Sequence, residues 1–191
     1  MNKDNVWWTR KCWIKAEERL LKHARYSDFF MFWYSLWGVA SSIIFIGEKQ
    51  PEIISKVFVC FSVFVFGFSL FSSLGRFRER ANNFKAGYIE LQRIYMILNS
   101  KKKSKSERMD DENFKNYTKV LDSCENHTSL DFLRAKVDVY QNSVEKSSLT
   151  IIPCGKDFFI YYFLIFWDFF LPVFLFVFPV LNLIFFMNYY D

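Results

Sequence analysis

Two stretches of the chain, residues 29–46 and 57–74, each run for eighteen residues without a charged side chain. Because an α-helix rises about 1.5 Å per residue, each stretch makes a helix about 27 Å long, close to the thickness of a bilayer's hydrocarbon core. Gly47 and Pro51, with charged residues around them, indicate a turn between the two. The pattern predicts a transmembrane helical hairpin. Uncharged windows of this length disfavour the alternative, two buried helices of a soluble core.

Basic residues beside the hairpin predict its orientation. Seven lysines and arginines precede residue 29 and four lie between residues 75 and 85, whereas the turn has only Lys49 and Lys56. Lysine and arginine are enriched on the cytoplasmic side of membrane proteins. Both ends of the hairpin, and with them the N-terminus, are therefore expected in the cytoplasm.

Small and hydroxyl-bearing residues mark one face of each predicted span. They are Ser35, Gly38 and Ser42 in the first span and Ser62, Ser69 and Ser73 in the second. Gly38 and Ser42, like Ser69 and Ser73, are four residues apart, a spacing that lets membrane helices approach closely. Two interpretations follow. The small residues pack helices together, or the serines of the second span line an aqueous pore in an oligomer.

The exit helix predicted at residues 76–99 carries an apolar seam with alternating steps of four and three residues. Its members are Phe77, Ala81, Phe84, Tyr88, Leu91, Tyr95 and Leu98. Heptad spacing of this kind requires a partner helix. The partner is either another helix of the same chain or a second copy around a symmetry axis. Gly75 and Gly87 are positions where the helix could bend.

Residues 101–112 form a charged segment, basic first and then acidic, as is typical of a solvated linker. Lipid head groups or nucleic acid could meet the basic half, although a short charge run is usually only a solvated loop. The lysines concerned are Lys101, Lys102, Lys103 and Lys105.

Residues 113–147 predict two further helices on the cytoplasmic side. Thr128 and Asp131 have the spacing of a capping box, so one helix is expected to begin there. The N-terminal helix has a matching apolar stripe that includes Trp13 and Leu20. We therefore expect an all-α membrane protein: a transmembrane helical hairpin within residues 1–100, a cytoplasmic helical bundle, and an additional C-terminal apolar helical segment.

That C-terminal segment, residues 158–188, carries one charge, Asp168, in its first thirty residues. Residues 169–187 could cross the membrane once, with Pro172 and Pro179 kinking the helix. A single crossing would place residue 191 outside the cell, whereas a broken or re-entrant segment would return it to the cytoplasm. A carboxylate at membrane depth is costly and is a functional candidate, but Asp168 could equally mark the membrane surface.

Composition agrees with a membrane protein and offers little for catalysis. Aromatic residues make up 21% of the chain, and phenylalanine occurs 25 times. The four cysteines are far apart, which favours free thiols in a reducing compartment. His23 and His127 have no suitably spaced partner for a metal, and no phosphate-binding or nucleophile motif occurs. The sequence therefore predicts neither an enzyme nor a bound cofactor.

One segment of the exit helix resembles a known family. The residues RANNFKAGYIEL at 80–91, after a basic N-terminal helix and a tight hairpin, resemble the SLATT family of bacterial two-transmembrane effectors. The resemblance covers residues 13–98 well, and extends to about residue 146 in general character. It implies an inner-membrane protein that forms pores or disrupts the membrane and supplies no catalytic residues. The extra C-terminal segment departs from the two-span pattern.

Two functional hypotheses follow. In the first, the chain is an antiphage effector that forms homo-oligomers in the lipid bilayer and opens or damages it when a partner gives the trigger. In the second, it is a membrane-anchored binding partner of a defence enzyme. The resemblance implies a reverse transcriptase or a synthase of nucleotide second messengers as that enzyme.

Overall fold

The computed structural model of the chain describes residues 3–44, 52–100 and 107–190. Within these residues it is helical throughout, apart from a short 3-10 turn at Lys146–Ser148 and connecting loops. The helices are α1 (Lys3–Ile44), α2 (Glu52–Leu74), α3 (Phe77–Ser100), α4 (Glu107–Ser123), α5 (Ser129–Asn142) and α6 (Gly155–Tyr190). An all-α fold is thereby confirmed.

The chain forms two compact units. The first comprises Met1–Lys22 and Phe77–Phe163, and the second comprises His23–Arg76 and Leu164–Asp191. Helices α1 and α6 each begin in the first unit and continue into the second. The second unit holds the predicted spans, and the first holds the predicted cytoplasmic helices.

The core of the first unit is built on the predicted seam of α3. Ala81, Phe84 and Leu91 are buried in it. They pack with four residues of α1, namely Val6, Trp13, Ala16 and Leu20. They also contact partly buried residues of α4, namely Tyr117, Val120 and Leu121, and Cys124, which directly follows α4. The other four seam residues, Phe77, Tyr88, Tyr95 and Leu98, are half-buried against the same cluster. In the structure, the seam therefore packs against α1 and α4 of the same chain.

Gly87 lets α1, α3 and α4 come close together. A Cβ atom at this position would lie 2.8 Å from the Cys124 sulfur and closer still to the Trp13 ring. Such distances are well inside van der Waals contact, so only glycine fits. Helix α3 continues through Gly87, and the glycine serves as a contact point there.

The chain breaks its helix at Gly75, one of the two predicted bend positions. Helix α2 ends at Leu74 and α3 begins at Phe77. Between them Arg76 has a φ of 44°, a left-handed conformation that is uncommon outside glycine. The second predicted span and the exit helix are therefore separate helices.

Helix α4 begins at Glu107, inside the segment predicted as a linker. Acidic residues favour the first turns of a helix because they complement its dipole, and ERMDDE at 107–112 is rich in them. Residues 101–106, including the four lysines proposed as a lipid or nucleic-acid contact, lie outside the described residues. At the next helix start the capping box is confirmed, with Thr128 and Asp131 bonded reciprocally.

The second unit leaves its apolar side chains uncovered. Two helical stretches, Lys56–Asn99 and Gly155–Asn182, each contain a window of eighteen residues that is apolar enough to cross a membrane, with mean hydropathies of 2.2 and 2.3. Within each qualifying window none of the residues is buried. A soluble core helix would be mostly buried, so lipid must cover these surfaces. The chain is an all-α membrane protein.

The first predicted span belongs to one continuous helix with the N-terminal helix, because α1 extends from Lys3 to Ile44. Its residues 45–46 and the predicted turn through Pro51 lie outside the described residues. Neither of the two apolar stretches found among the described residues includes it. A span at residues 29–46 stays a prediction.

The C-terminal segment forms a single helix. Helix α6 continues from Gly155 to Tyr190 with both prolines inside it. Residues 158–167, which precede the predicted crossing at 169–187, are part of the same helix. Within residues 155–190 the structure has no break that would correspond to a re-entrant segment.

Candidate functional site

A groove of about 640 Å³ lies between α1 and α2 in the second unit. Five of the six predicted small residues line it: Ser35, Gly38, Ser42, Ser62 and Ser69. The sixth, Ser73, is exposed near the end of α2 and does not contribute to the lining. The structure thus brings the two predicted stripes together on facing helices.

The helices approach closely where the side chains are small. A Cβ atom at Gly38 would lie 3.4 Å from the nearest Phe61 ring carbon, already a tight contact. The Tyr34 ring also packs on Phe61, with 6.0 Å between centroids. Gly38 therefore permits the close approach expected of small residues in membrane helices.

Two of the groove serines donate a hydrogen bond from the hydroxyl group to a backbone carbonyl. Ser42 donates to the carbonyl of Gly38 at 2.8 Å, and Ser62 donates to the carbonyl of Phe58 at 2.9 Å. Bonds to the carbonyl four residues earlier allow serine to reside in an apolar helix. Each hydroxyl oxygen can still accept a hydrogen bond, so the groove is mildly polar. Such a groove suits either a packed helix or a single row of water molecules.

Residues of α1 also contact α6 in the second unit. Tyr34 donates from its hydroxyl to the carbonyl of Leu175 at 2.9 Å, and Trp33 donates from Nε1 to the carbonyl of Phe176 at 3.0 Å. The rings of Trp33 and Phe176 stack with centroids 4.4 Å apart. Neither Trp33 nor Tyr34 belongs to a motif of the amino-acid sequence that would single it out. The feature of the sequence that points to these contacts is Pro179, which has no N–H to donate to the carbonyl four residues before it.

Asp168, the predicted intramembrane acid, lies on α6 and is half-buried. Pro172, four residues after Asp168, has no N–H to donate to the Asp168 carbonyl. The two interpretations of its carboxylate, a functional group at membrane depth and a marker of the membrane surface, both stand.

In the first unit a buried ion pair joins α1 to α5. Arg19 donates to both carboxylate oxygens of Asp131, at 2.8 and 3.0 Å. Asp131 is fully buried and also accepts from the Thr128 backbone and hydroxyl, at 2.9 and 2.8 Å. Burial opposes ionisation of Asp131, but the hydrogen bonds from Arg19 and Thr128 outweigh it and lower its pKa. The pair fixes the start of α5 against the helix that continues into the second unit.

A second ion pair joins α5 to the first turn of α6. Lys136 donates to Asp157 at 2.6 Å, and the Cys154 backbone donates to the same carboxylate at 2.8 Å. These hydrogen bonds lower the pKa of Asp157 to about 2. Helix α5 is therefore tied by charge to both helices that leave the first unit, α1 and α6.

The Cys12 and His127 side chains of the first unit differ from free side chains in their protonation. Burial, with the charge of Asp131 as a smaller cause, raises the pKa of the Cys12 thiol to about 12. Burial also lowers the pKa of His127. Within the part of the chain that the structure describes, no group of three or more histidine, cysteine or acidic residues could hold a metal ion.

The comparisons with known proteins place these features in context. A family model described as "SMODS and SLOG-associating 2TM effector domain family 5" matches residues 2–179. No curated protein and no solved structure shows a significant match. The family match covers both compact units, including most of α6.

Proposed function

Because the chain belongs to the SMODS and SLOG-associating 2TM effector domain family 5, it is a membrane effector of conflict systems, and we propose that it acts on the bacterial inner membrane during antiphage defence. In this proposal several copies assemble, and the assembly opens a pore or disrupts the bilayer when a partner protein gives the trigger. Loss of the membrane barrier then stops the infected cell.

The observation that carries the proposal is the groove between α1 and α2. It lies in the unit whose apolar helices are uncovered, and it gathers small and hydroxyl-bearing residues from two helices. Ser62 and Ser69 offer hydroxyl oxygens on a surface otherwise made of phenylalanine and valine. In an oligomer such a surface can face water, and in the resting protein it can pack against a helix.

The copies must associate through surfaces other than the α3 seam. Phe84 and Leu91 are fully buried against α1 and α4, so the seam cannot also bind a second copy without opening the core. The exposed apolar faces of the second unit remain for assembly. They include Val59, Val63 and Phe66, each about 65% exposed.

We propose that the first unit faces the cytoplasm, on the basis of the basic residues beside the hairpin. There it meets the partner that gives the trigger. The family description names an association with SMODS and SLOG proteins, and the wider resemblance adds enzymes that make nucleotide second messengers and reverse transcriptases. One of these, encoded beside the chain, is the proposed source of the trigger.

A second candidate function is that of a membrane-anchored binding partner of such an enzyme. It is favoured by a polar groove of about 510 Å³ between α3 and α4. The groove offers donors and acceptors from Asn83, Glu90, Asn116, Lys119 and Ser123. In this case the chain holds the enzyme at the membrane without permeabilising it.

Bulky substitutions in the α1–α2 groove distinguish the two candidates. Ser62→Phe and Ser69→Phe fill the groove, whereas the matched control Ser73→Phe makes the same substitution on the same helix at an exposed position outside the groove lining. We expect the groove variants, but not the control, to abolish potassium release from triggered cells at equal protein levels. Potassium release that persists in both groove variants would contradict a pore at this groove. Absence of release from wild-type cells would favour the anchored partner.

A further inference from the structure

Pro179 leaves a carbonyl of α6 without its helical partner. In an α-helix the backbone N–H of residue 179 would donate to the carbonyl of residue 175, but proline has no N–H. In a protein that is surrounded by lipid, no water is present to satisfy such a group, and leaving it unpaired is costly. Leu175 is therefore a position where α6 needs a donor from another helix.

Tyr34 of α1 supplies that donor. Its hydroxyl donates to the Leu175 carbonyl at 2.9 Å. The adjacent Trp33 donates to the Phe176 carbonyl at 3.0 Å and stacks on the Phe176 ring at 4.4 Å, with the ring planes only 19° apart. Two consecutive residues of α1 thus recognise two consecutive carbonyls of α6 at its proline.

The remainder of α6 has the character of a helix in lipid. Its apolar stretch Gly155–Asn182 has 28 residues, enough to cross a bilayer. Phe166, Phe170 and Phe174 stack along the helix at intervals of four residues and are between 43% and 56% exposed. A helix lying along the interface would instead need a charged face, and Asp168 is the only charged residue between residues 158 and 187.

We propose that α6 is a third membrane span, docked on α1 by Tyr34 through the Leu175 carbonyl that Pro179 leaves without a helical donor, and by Trp33 through the adjacent Phe176 carbonyl. Helices α1 and α6 both leave the first unit and enter the second, so both cross in the same direction and α2 returns. The end of α6 then lies on the opposite side of the membrane from the N-terminus. This goes beyond the two spans of the family description, and it does not depend on whether the protein forms a pore.

Reporter fusions to the full chain test the topology. Alkaline phosphatase fused after residue 191 should be active, because it folds only outside the cytoplasm, and green fluorescent protein at the same place should be dark. Green fluorescent protein fused before residue 1 should be fluorescent and serves as the cytoplasmic reference. The reverse pattern at residue 191 would overturn the third span.

A double-mutant cycle tests the docking itself. Pro179→Ala restores the missing N–H, so the Leu175 carbonyl then has a partner within α6. We expect Tyr34→Phe to lower the thermal midpoint of the full chain in detergent, and to lower it much less in the Pro179→Ala background. Equal shifts of the thermal midpoint in the two backgrounds would show that the Tyr34 hydroxyl does not replace the donor that Pro179 lacks for the Leu175 carbonyl. Tyr162→Phe, a tyrosine of α6 that bonds to Gln141, is the control whose effect should be the same in both backgrounds.

Discussion

The ring of Trp13 lies against the backbone of Gly87, in a contact that leaves no room for a side chain. Trp13 is 1% exposed and also packs edge-on against Phe84, with 5.8 Å between ring centroids. The two rings and the glycine hold α1 against α3 at the centre of the first unit. Gly87 is thus a packing position at which no larger residue fits.

We predict that Gly87→Ala destabilises the protein by about 1–3 kcal/mol, the usual cost of overpacking a core. The gain in helix propensity from replacing glycine offsets about 1 kcal/mol of the strain at most. Thermal unfolding of the full chain in detergent measures the difference. Gly67→Ala is the matched control, because a Cβ at Gly67 meets nothing within 4 Å. A Gly87→Ala protein as stable as the Gly67→Ala protein would contradict the contact.

We predict that Asp131→Ala costs about 3–5 kcal/mol, the range observed when one partner of a buried ion pair is removed. The variant leaves the Arg19 guanidinium largely buried without its carboxylate and also removes the cap of α5. Glu125→Ala is the control, because the Arg80–Glu125 pair is exposed and exposed pairs contribute only about 0–1 kcal/mol. Similar losses in chemical denaturation for the two variants would contradict a buried pair.

The first unit should lose stability in acid. The pKa values of Asp131 and Asp157 are lower in the folded protein than their ordinary value. Their stabilisation is complete above about pH 4 and is lost as the pH falls toward 2. Burial lowers the pKa of His127 as well, so protonation below about pH 6.5 also favours unfolding.

Thermal midpoints measured between pH 7 and pH 3 test this dependence. The wild type should show falling midpoints, and most of the fall below pH 4 should be absent in an Asp131→Asn, Asp157→Asn double variant, which starts from a lower midpoint. If the thermal midpoint of the double variant fell with decreasing pH as steeply as that of the wild type, groups other than Asp131 and Asp157 would be responsible for the loss of stability.

The cysteines should differ sharply in reactivity. Cys12 is 1% exposed and burial raises its pKa to about 12, so it holds almost no thiolate at neutral pH. Cys154 is exposed. A maleimide reagent followed by peptide mass spectrometry should modify Cys154 rapidly and Cys12 only after denaturation. Rapid modification of Cys12 in the native protein would indicate that α1 does not pack in the core.

Periodicity was sufficient to predict the helical fold and the α3 seam, because apolar spacing reports directly on which face of a helix is buried. It also identified Thr128 and Asp131 as a cap, since that contact is local. It could not choose the partner of the seam, because packing on α1 and α4 depends on contacts between residues distant in the chain. For the same reason the Arg19–Asp131 pair was not foreseen.

In the second unit, too, residue spacing predicts a face of a helix but not the residues that pack against that face. Spacing placed Ser35, Gly38 and Ser42 on one face, and the structure shows that this face meets Ser62 and Ser69. Spacing could not show that Tyr34 donates a hydrogen bond to the Leu175 carbonyl of α6. That carbonyl needs a donor from another helix because Pro179 has no N–H. A proline in an apolar helix is a signal to look for a donor elsewhere in the chain.

The membrane potential of triggered cells tests the central claim most directly. Cells that express the chain together with its neighbouring genes are infected with phage, and a voltage-sensitive dye is followed in single cells alongside growth. The account predicts that the potential collapses before growth stops, and only in cells that contain the intact chain. Growth arrest with the potential retained would contradict a membrane-permeabilising effector.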